Sequence, residues 1–284
     1  MSLTLYDQRS CHLGEGALWH PERGQLFWFD ILENKLLSRA GETEQEWSFS
    51  SNVSAAGWTG RDTLLIADET RLFELNLTTG TEEFVAHLEP HDPGSRPNDG
   101  RADPQGGFWI GTMAKRGNTR PGAIYRYFRG ELRMLFANVT VPNAQCFTPD
   151  GTTAYFSATR DGKIWRTRLD AQGWPTGEPE LLIHEEGYKI DGMVCAADGT
   201  LWNTQYGAGR VVVYAPNGTR RALHNLPASQ TTCPAFGGPD LTTLYVTSAR
   251  QDLSDEVTGA QPAHGQTFAL KTNTTGQAEH RVIL

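Results

Sequence analysis

An all-β fold, a six-bladed β-propeller closed as one domain over residues 1–284, is what the repeats in this chain predict. Three observations lead there. The chain has 284 residues with 30 Gly, 15 Pro and abundant Trp and Thr, and long helical periodicity is scarce; this reads as many short strands joined by tight turns. A turn cluster followed by an apolar run recurs in six copies, with anchors roughly 36 to 48 residues apart, close to the length of one propeller blade. Each unit carries further strand-like segments, which completes the four strands of a blade.

The copies run in order along the chain. Pro21-Glu-Arg-Gly24 precedes Gln25-Leu-Phe-Trp-Phe-Asp30, and Gly60-Arg-Asp62 precedes Thr63-Leu-Leu-Ile-Ala67. Asp103-Pro-Gln-Gly106 precedes Gly107-Phe-Trp-Ile-Gly111, and Pro149-Asp-Gly151 precedes Thr153-Ala-Tyr-Phe-Ser157. The last two are Thr200-Leu-Trp-Asn203 after Ala197-Asp-Gly199, and Thr243-Leu-Tyr-Val-Thr247 after Gly238-Pro-Asp240. A second strand follows most of them, at Lys35–Ser38, Arg71–Leu75, Ala123–Tyr127, Lys163–Arg166 and Arg210–Tyr214. Strand spacing by itself also fits a β-sandwich or two β domains. The less patterned stretches 86–98, 112–122 and 250–264 are expected as loops at one end of the propeller, where function concentrates.

Charge and composition exclude several classes. With 25 Lys and Arg against 33 Asp and Glu the formal net charge is −8, so there is no global positive field to gather phosphates. Nucleic acid and membrane are not expected as partners. The segment Met1–Asp7 lacks a basic region followed by an apolar one, and no run of apolar residues reaches membrane-helix length, so the chain reads as cytoplasmic. Cys11, Cys146, Cys195 and Cys233 are scattered without a C-x-x-C pair and are expected as free buried thiols. A monomer or weak homodimer is expected.

Inner strands of a propeller present side chains to a central channel, and polar residues stand at comparable points in four repeats. These are Glu15 in Leu13-Gly-Glu-Gly16, Asn98 in Arg96-Pro-Asn-Asp-Gly100, Asn143 in Val141-Pro-Asn-Ala144 and Asp191 in Lys189-Ile-Asp-Gly-Met193. Glu15, Asn143 and Asp191 make a hard all-oxygen set suited to a divalent cation, although acids and amides beside glycine also serve as turn residues. The eight histidines form no H-E-x-x-H spacing and no G-x-S-x-G elbow occurs, which disfavours a zinc protease and a serine hydrolase.

Leu13-Gly-Glu-Gly-Ala-Leu-Trp19, Trp28-Phe-Asp-Ile31, Arg96-Pro-Asn-Asp-Gly100, Gly111-Thr-Met113, Asp191-Gly-Met193 and Phe236-Gly-Gly-Pro-Asp-Leu241 through Thr247-Ser-Ala-Arg250 resemble the family of senescence marker protein, regucalcin and gluconolactonase. The resemblance covers essentially the whole chain, with the motifs in order, and is nearest to bacterial sugar lactonases of the xylonolactonase and arabinonolactonase kind. It implies a six-bladed propeller with one divalent metal in the channel, held by Glu15, Asn143 and Asp191, with Ca²⁺, Mg²⁺, Mn²⁺, Zn²⁺ and Fe²⁺ all open. It also implies that Arg96 and Asn98 bind substrate hydroxyls, with Asn98 facing the metal through water as an alternative. The chain departs from the family in having Asn143-Ala144 where Asn-Gly is usual. The loop Ala114–Arg120 is basic, which suits either an anionic substrate or a solvated surface.

The expected reaction is hydrolysis of a sugar lactone to its aldonic acid, the metal polarising the carbonyl and Asp191 activating water as general base. Coordination lowers a carboxylate's basicity, so hydroxide on the metal is the rival nucleophile. Tyr206 and Trp58 are candidates to wall the pocket, with core packing as the alternative, and Cys146 and Met113 are expected to pack. Phosphotriester hydrolysis and a calcium-binding regulatory role are the competing functions.

Overall fold

The computed structural model describes residues 2–115 and 120–284. It holds six antiparallel four-stranded sheets. Strand β1 (Leu3–Asp7) opens the chain, and the first blade follows as β2 (Gly14–His20), β3 (Gln25–Asp30), β4 (Lys35–Ala40) and β5 (Thr43–Ser48). The second is β6 (Val53–Gly60), β7 (Thr63–Asp68), β8 (Arg71–Asn76) and β9 (Glu82–His87). The third is β10 (Ser95–Ala102), β11 (Phe108–Ala114), β12 (Gly122–Phe128) and β13 (Glu131–Val139). The fourth is β14 (Pro142–Phe147), β15 (Thr153–Ala158), β16 (Lys163–Leu169) and β17 (Pro175–His184). The fifth is β18 (Lys189–Cys195), β19 (Leu201–Tyr206), β20 (Arg210–Tyr214) and β21 (Arg220–Asn225). The sixth, β22 (Thr231–Gly237), β23 (Thr243–Ser248) and β24 (Thr267–Lys271), takes β1 as its outer strand, with Leu3 opposite Leu270. The chain ends thus share one sheet and close the ring.

Burial follows the radius. The runs expected from the repeats are the second strands β3, β7, β11, β15, β19 and β23, sandwiched between neighbouring blades and therefore buried on both faces and mostly apolar. Outer strands such as β5 and β21 alternate half-buried with exposed residues and carry charges, which discourages edge pairing. Six apolar clusters among the described residues fill the six blade interfaces. Phe27, Phe29, Ile66 and Phe73 join the first two blades, and Trp19, Trp28, Ala235 and Tyr245 join the sixth to the first. Each inner strand packs against the inner strands of both neighbouring blades.

All six inner strands carry a bulge at the same place. Gly16–Ala17, Ser54–Ala55, Asn98–Asp99, Ala144–Gln145, Asp191–Gly192 and Thr232–Cys233 each oppose one residue of the second strand. A bulge inserts an unpaired residue and re-aims side chains, so consecutive positions beside it turn toward the axis.

The less patterned stretches are loops only in part. Residues 95–98 lie in β10 and 112–114 in β11, whereas 250–264 includes a short helix, α1 (Asp255–Ala260), capped by Ser254. Positions 116–119 of the 112–122 stretch lie outside the described residues. The opposite end of the channel is closed by the C-terminal segment 273–284, which the repeats do not announce. Gln277 Nε2 donates to the carbonyls of Phe147 (3.0 Å) and Cys195 (2.9 Å), Glu279 forms an ion pair with Arg101, and Val282 N donates to Trp58 O (2.9 Å). Trp58 Nε1 also donates to Glu279 O (2.9 Å), so Trp58 packs under this tail instead of walling the site.

Gly16 has φ +59°, and a Cβ there would lie 2.2 Å from Ser54 O and 2.7 Å from Phe29. Gly24 has the same φ of +59° with nothing within 4 Å. Gly24→Ala is therefore expected to cost about 1 kcal/mol of unfolding free energy for the left-handed backbone alone. Gly16→Ala adds a backbone clash and is expected to cost roughly 2–4 kcal/mol; urea unfolding of the two variants checks the difference.

Candidate active site

The bulges bring the four sequence-predicted polar positions to one cavity of about 170 Å³, lined by Glu15, Arg96, Asn98, Asn143 and Asp191 together with Met113, Thr159, Arg160, Lys189 and Tyr206. It opens at the end where the inner strands begin, opposite the C-terminal tail. Tyr206, open between pocket wall and core packing, lines the cavity and also packs against the cluster between the first two blades, and Met113, which the sequence places in packing, lines it too. Cys146 packs in the core instead, and all four cysteines are free and buried.

Asn143 is held with its amide oriented. Its Nδ2 donates to Thr159 Oγ1 at 2.7 Å, and that hydroxyl donates to Val141 O at 3.0 Å, which leaves Oδ1 as an acceptor turned to Asn98 Nδ2 at 3.2 Å. The flanking backbone is strained: Val141 has φ +53° and Ala144 φ +61°, conformations that cost L residues roughly 1–2 kcal/mol each. The usual glycine is absent at 144, yet the left-handed turn is present. Asp99 of the neighbouring blade supports it, accepting N–H bonds from Gln145 (3.2 Å) and Gly100 (2.9 Å) and from Ala144. The sequence reading passes over Asp99, whose Asn-Asp-Gly context resembles an ordinary turn; only its placement across the blade interface reveals this role.

Asn98 bridges two neighbours. Its Nδ2 donates to Pro142 O (3.0 Å) as well as to Asn143, and its Oδ1 accepts from Arg96 Nη1 (3.0 Å). Both polar ends of Asn98 are thereby engaged. Arg96 also donates from Nη1 to Pro97 O (2.8 Å), while its Nε and Nη2 have no partner among the described residues. Burial pulls its pKa down to about 10 against the pull of Glu15, Glu69 and Asp191.

Glu15 and Asp191 are the electrostatic centre. Both side chains are buried, and neither forms an ion pair among the described residues. Burial pushes both carboxyls well above the ordinary range, with the charges of Asp191 and Asp99 adding at Glu15 and that of Asp99 adding at Asp191. Asp99 is itself raised by burial to about 6, against the opposing pull of Arg101. No group of three or more His, Cys, Asp or Glu placed for a metal occurs among the described residues. The set here is two carboxylates and a carboxamide oxygen. Arg96 and the exposed Lys189 act on these two buried acids without an ion pair to either among the described residues, and hard oxygen donors of this kind suit a divalent cation.

The basic loop is not a free positive patch among the described residues. Lys115 pairs with Glu69 at 2.6 Å and Arg120 with Glu89 at 3.1 Å, so the charges at its ends are answered within the protein. Thr159→Val keeps the shape of the side chain but removes both hydrogen bonds behind Asn143. It is expected to cost about 1–2 kcal/mol, seen as a lower urea midpoint with an unchanged slope.

Residues 13–250 match the family described as the SMP-30/Gluconolactonase/LRE-like region. A pentonolactonase of Haloferax volcanii is 32% identical, over 99% of this chain and 98% of its own length. An L-arabinolactonase of Azospirillum brasilense is 32% identical, over 95% and 91%. A crystal structure of a calcium-binding protein, regucalcin, from Agrobacterium tumefaciens superposes with a TM-score of 0.96 at 40% identity, covering 99% of this chain and 97% of that one. On the residues matched and the shared propeller, the chain belongs to the SMP-30/gluconolactonase family.

Proposed function

We propose that this protein is a carboxylic-ester hydrolase that opens a sugar lactone to its aldonic acid with the help of one divalent cation. The observation that carries the reading is the convergence of Glu15, Asn143 Oδ1 and Asp191 from three blades, two of them buried carboxylates without an ion-pair partner, in a cavity with Arg96. The likeness to relatives named as lactonases supports the substrate class. Glu15, Asn143 and Asp191 would hold the cation. A divalent cation bound there supplies electrophilic polarisation of the lactone carbonyl.

The chain's own groups do the rest. Thr159 keeps the Asn143 amide from rotating, so its oxygen stays turned to the cavity. Arg96 offers its two free guanidinium nitrogens to hydroxyl or ring oxygens, and Asn98 fixes the guanidinium through Nη1. Asp191 accepts a proton from water on one carboxylate oxygen as the water adds to the carbonyl carbon. Collapse breaks the bond from that carbon to the ring oxygen, which takes up a proton and leaves as a hydroxyl. The acid formed ionises, so each turnover releases one proton. The C-terminal tail lies across the far end of the channel, so water and substrate enter at the cavity end.

The test is acid release from a panel of pentono- and hexonolactones by chelator-treated protein, with single cations added back. Cation-dependent release is expected from the parent, and Asp191→Ala and Glu15→Gln are expected to lower kcat/KM by about 100-fold or more. Silence on every lactone by folded protein overturns the reading and favours phosphotriester hydrolysis or calcium binding. Arg96→Leu is expected to raise KM by about tenfold with a smaller effect on kcat.

A pH signature follows from the raised carboxyls. A carboxyl with a folded pKa above its unfolded value binds its proton more tightly when folded. In chelator, therefore, its contribution to stability falls as pH rises above about 4. Asp191→Asn removes one such ionisation. In chelator it is expected to melt above the parent at about pH 7.5, with the gap closing near pH 4.5, and excess cation reverses the order by binding the parent more tightly.

A further inference from the structure

We infer that the lactone taken by this cavity carries an anionic group, a carboxylate, phosphate or sulfonate, at the end remote from the ester, received by Arg160 and Lys189. The inference rests on the lactonase reading and names the substrate class within it. Both residues line the cavity. Arg160 lies in the single 3-10 turn Thr159–Asp161, immediately after the threonine that orients Asn143. Lys189 begins β18, two residues before Asp191 and opposite Tyr206, with its Nζ 5.4 Å from the Tyr206 ring. The two cations thus flank the reacting centre from neighbouring blades.

Lys115 and Arg120 meet carboxylates, but neither Arg160 nor Lys189 forms an ion pair among the described residues, and Lys189 reaches Asp191 only at longer range. Among the described residues the acids lining the cavity are Glu15 and Asp191, and these are the groups a divalent cation would neutralise. With that cation in place Arg96, Arg160 and Lys189 remain, a positive pocket in a chain whose formal net charge is −8. Exposed lysine and arginine outside ion-pair distance of any acid hold a charged ligand at little desolvation cost, and the guanidinium matches carboxylate, sulfonate and phosphate oxygens in pairs. A neutral sugar end would leave that positive field without a counterpart.

The experiment compares kcat/KM of the full chain, loaded with its best cation, on D-glucono-1,5-lactone, 6-phospho-D-glucono-1,5-lactone and D-glucaro-1,4-lactone at low ionic strength. At least a tenfold preference for one of the charged lactones is expected, and which one separates phosphate from carboxylate. The preference shrinks as salt is raised. In the double variant Arg160→Gln, Lys189→Gln the ratio of charged to neutral kcat/KM falls at least tenfold. Calorimetric binding of 6-phosphogluconate relative to gluconate falls with it, a readout independent of turnover. Both side chains are exposed, so the fold tolerates the exchange. Neutral and charged lactones turned over alike, or a ratio unchanged in the double variant, overturns this inference alone. No turnover of any lactone overturns the lactonase reading and this inference with it.

Discussion

Six inner strands meet around one axis, and the bulge that each carries at the same position is the constraint from which the site follows. A regular strand alternates its side chains between two faces, and in a propeller both faces of the inner strand are taken by neighbouring blades. The two-against-one opposition at the bulge breaks that alternation. Glu15 and Asn143 stand just before the bulge, and Asn98 and Asp191 at its first residue. Both placements bring a polar group to the cavity. The backbone bears the cost. Where the side chain before the bulge is the one used, the next residue turns left-handed, easily at Gly16 and under strain at Ala144.

That strain is sustained because the surroundings are rigid. Asp99 holds the N–H groups of the turn after Asn143, Thr159 holds the carbonyl before it, and the apolar clusters at each blade interface leave little room to relax. Ring closure adds to this. The first strand lies beside the last, and the C-terminal tail ties the carbonyls of Phe147 and Cys195 and the Trp58 backbone together beneath the channel. A cavity built at one end of such a ring keeps its geometry with few loops to help it. The same rigidity allows two carboxylates to stay buried near each other, an arrangement that a cation or protons must relieve.

Legibility in the sequence was uneven, for physical reasons. The second strands were plain because burial on both faces makes them continuous apolar runs between turns: the expected segment Gln25–Asp30 is β3 to the residue, and Thr243–Thr247 falls within β23. The inner strands were harder to see, since the bulge mixes Gly, Pro, Asn and Asp into them. Residues 95–97 therefore read as loop although they pair with β11. Trp58 was open between pocket wall and core packing and lies under the tail, and the basic loop was open between an anionic substrate and a solvated surface, whereas Lys115 and Arg120 meet acids distant in sequence. Asp99 and Lys189 stood inside motifs whose neighbours drew the attention, and Thr159 and Arg160 carried no local pattern.

What the sequence by itself determined was the repeat, hence the number of blades, and the identity of the polar residues on the inner strands, because both are local properties repeated along the chain. The tertiary structure alone decided how those residues meet. Which acid lacks a counterion, which cation is answered, which amide oxygen faces the cavity and which end of the channel stays open depend on contacts between blades, and often on partners more than 40 residues apart, as Asn98 and Asn143 are. Charge compensation and hydrogen-bond satisfaction are sums over neighbours in space, and only the closed ring supplies those neighbours.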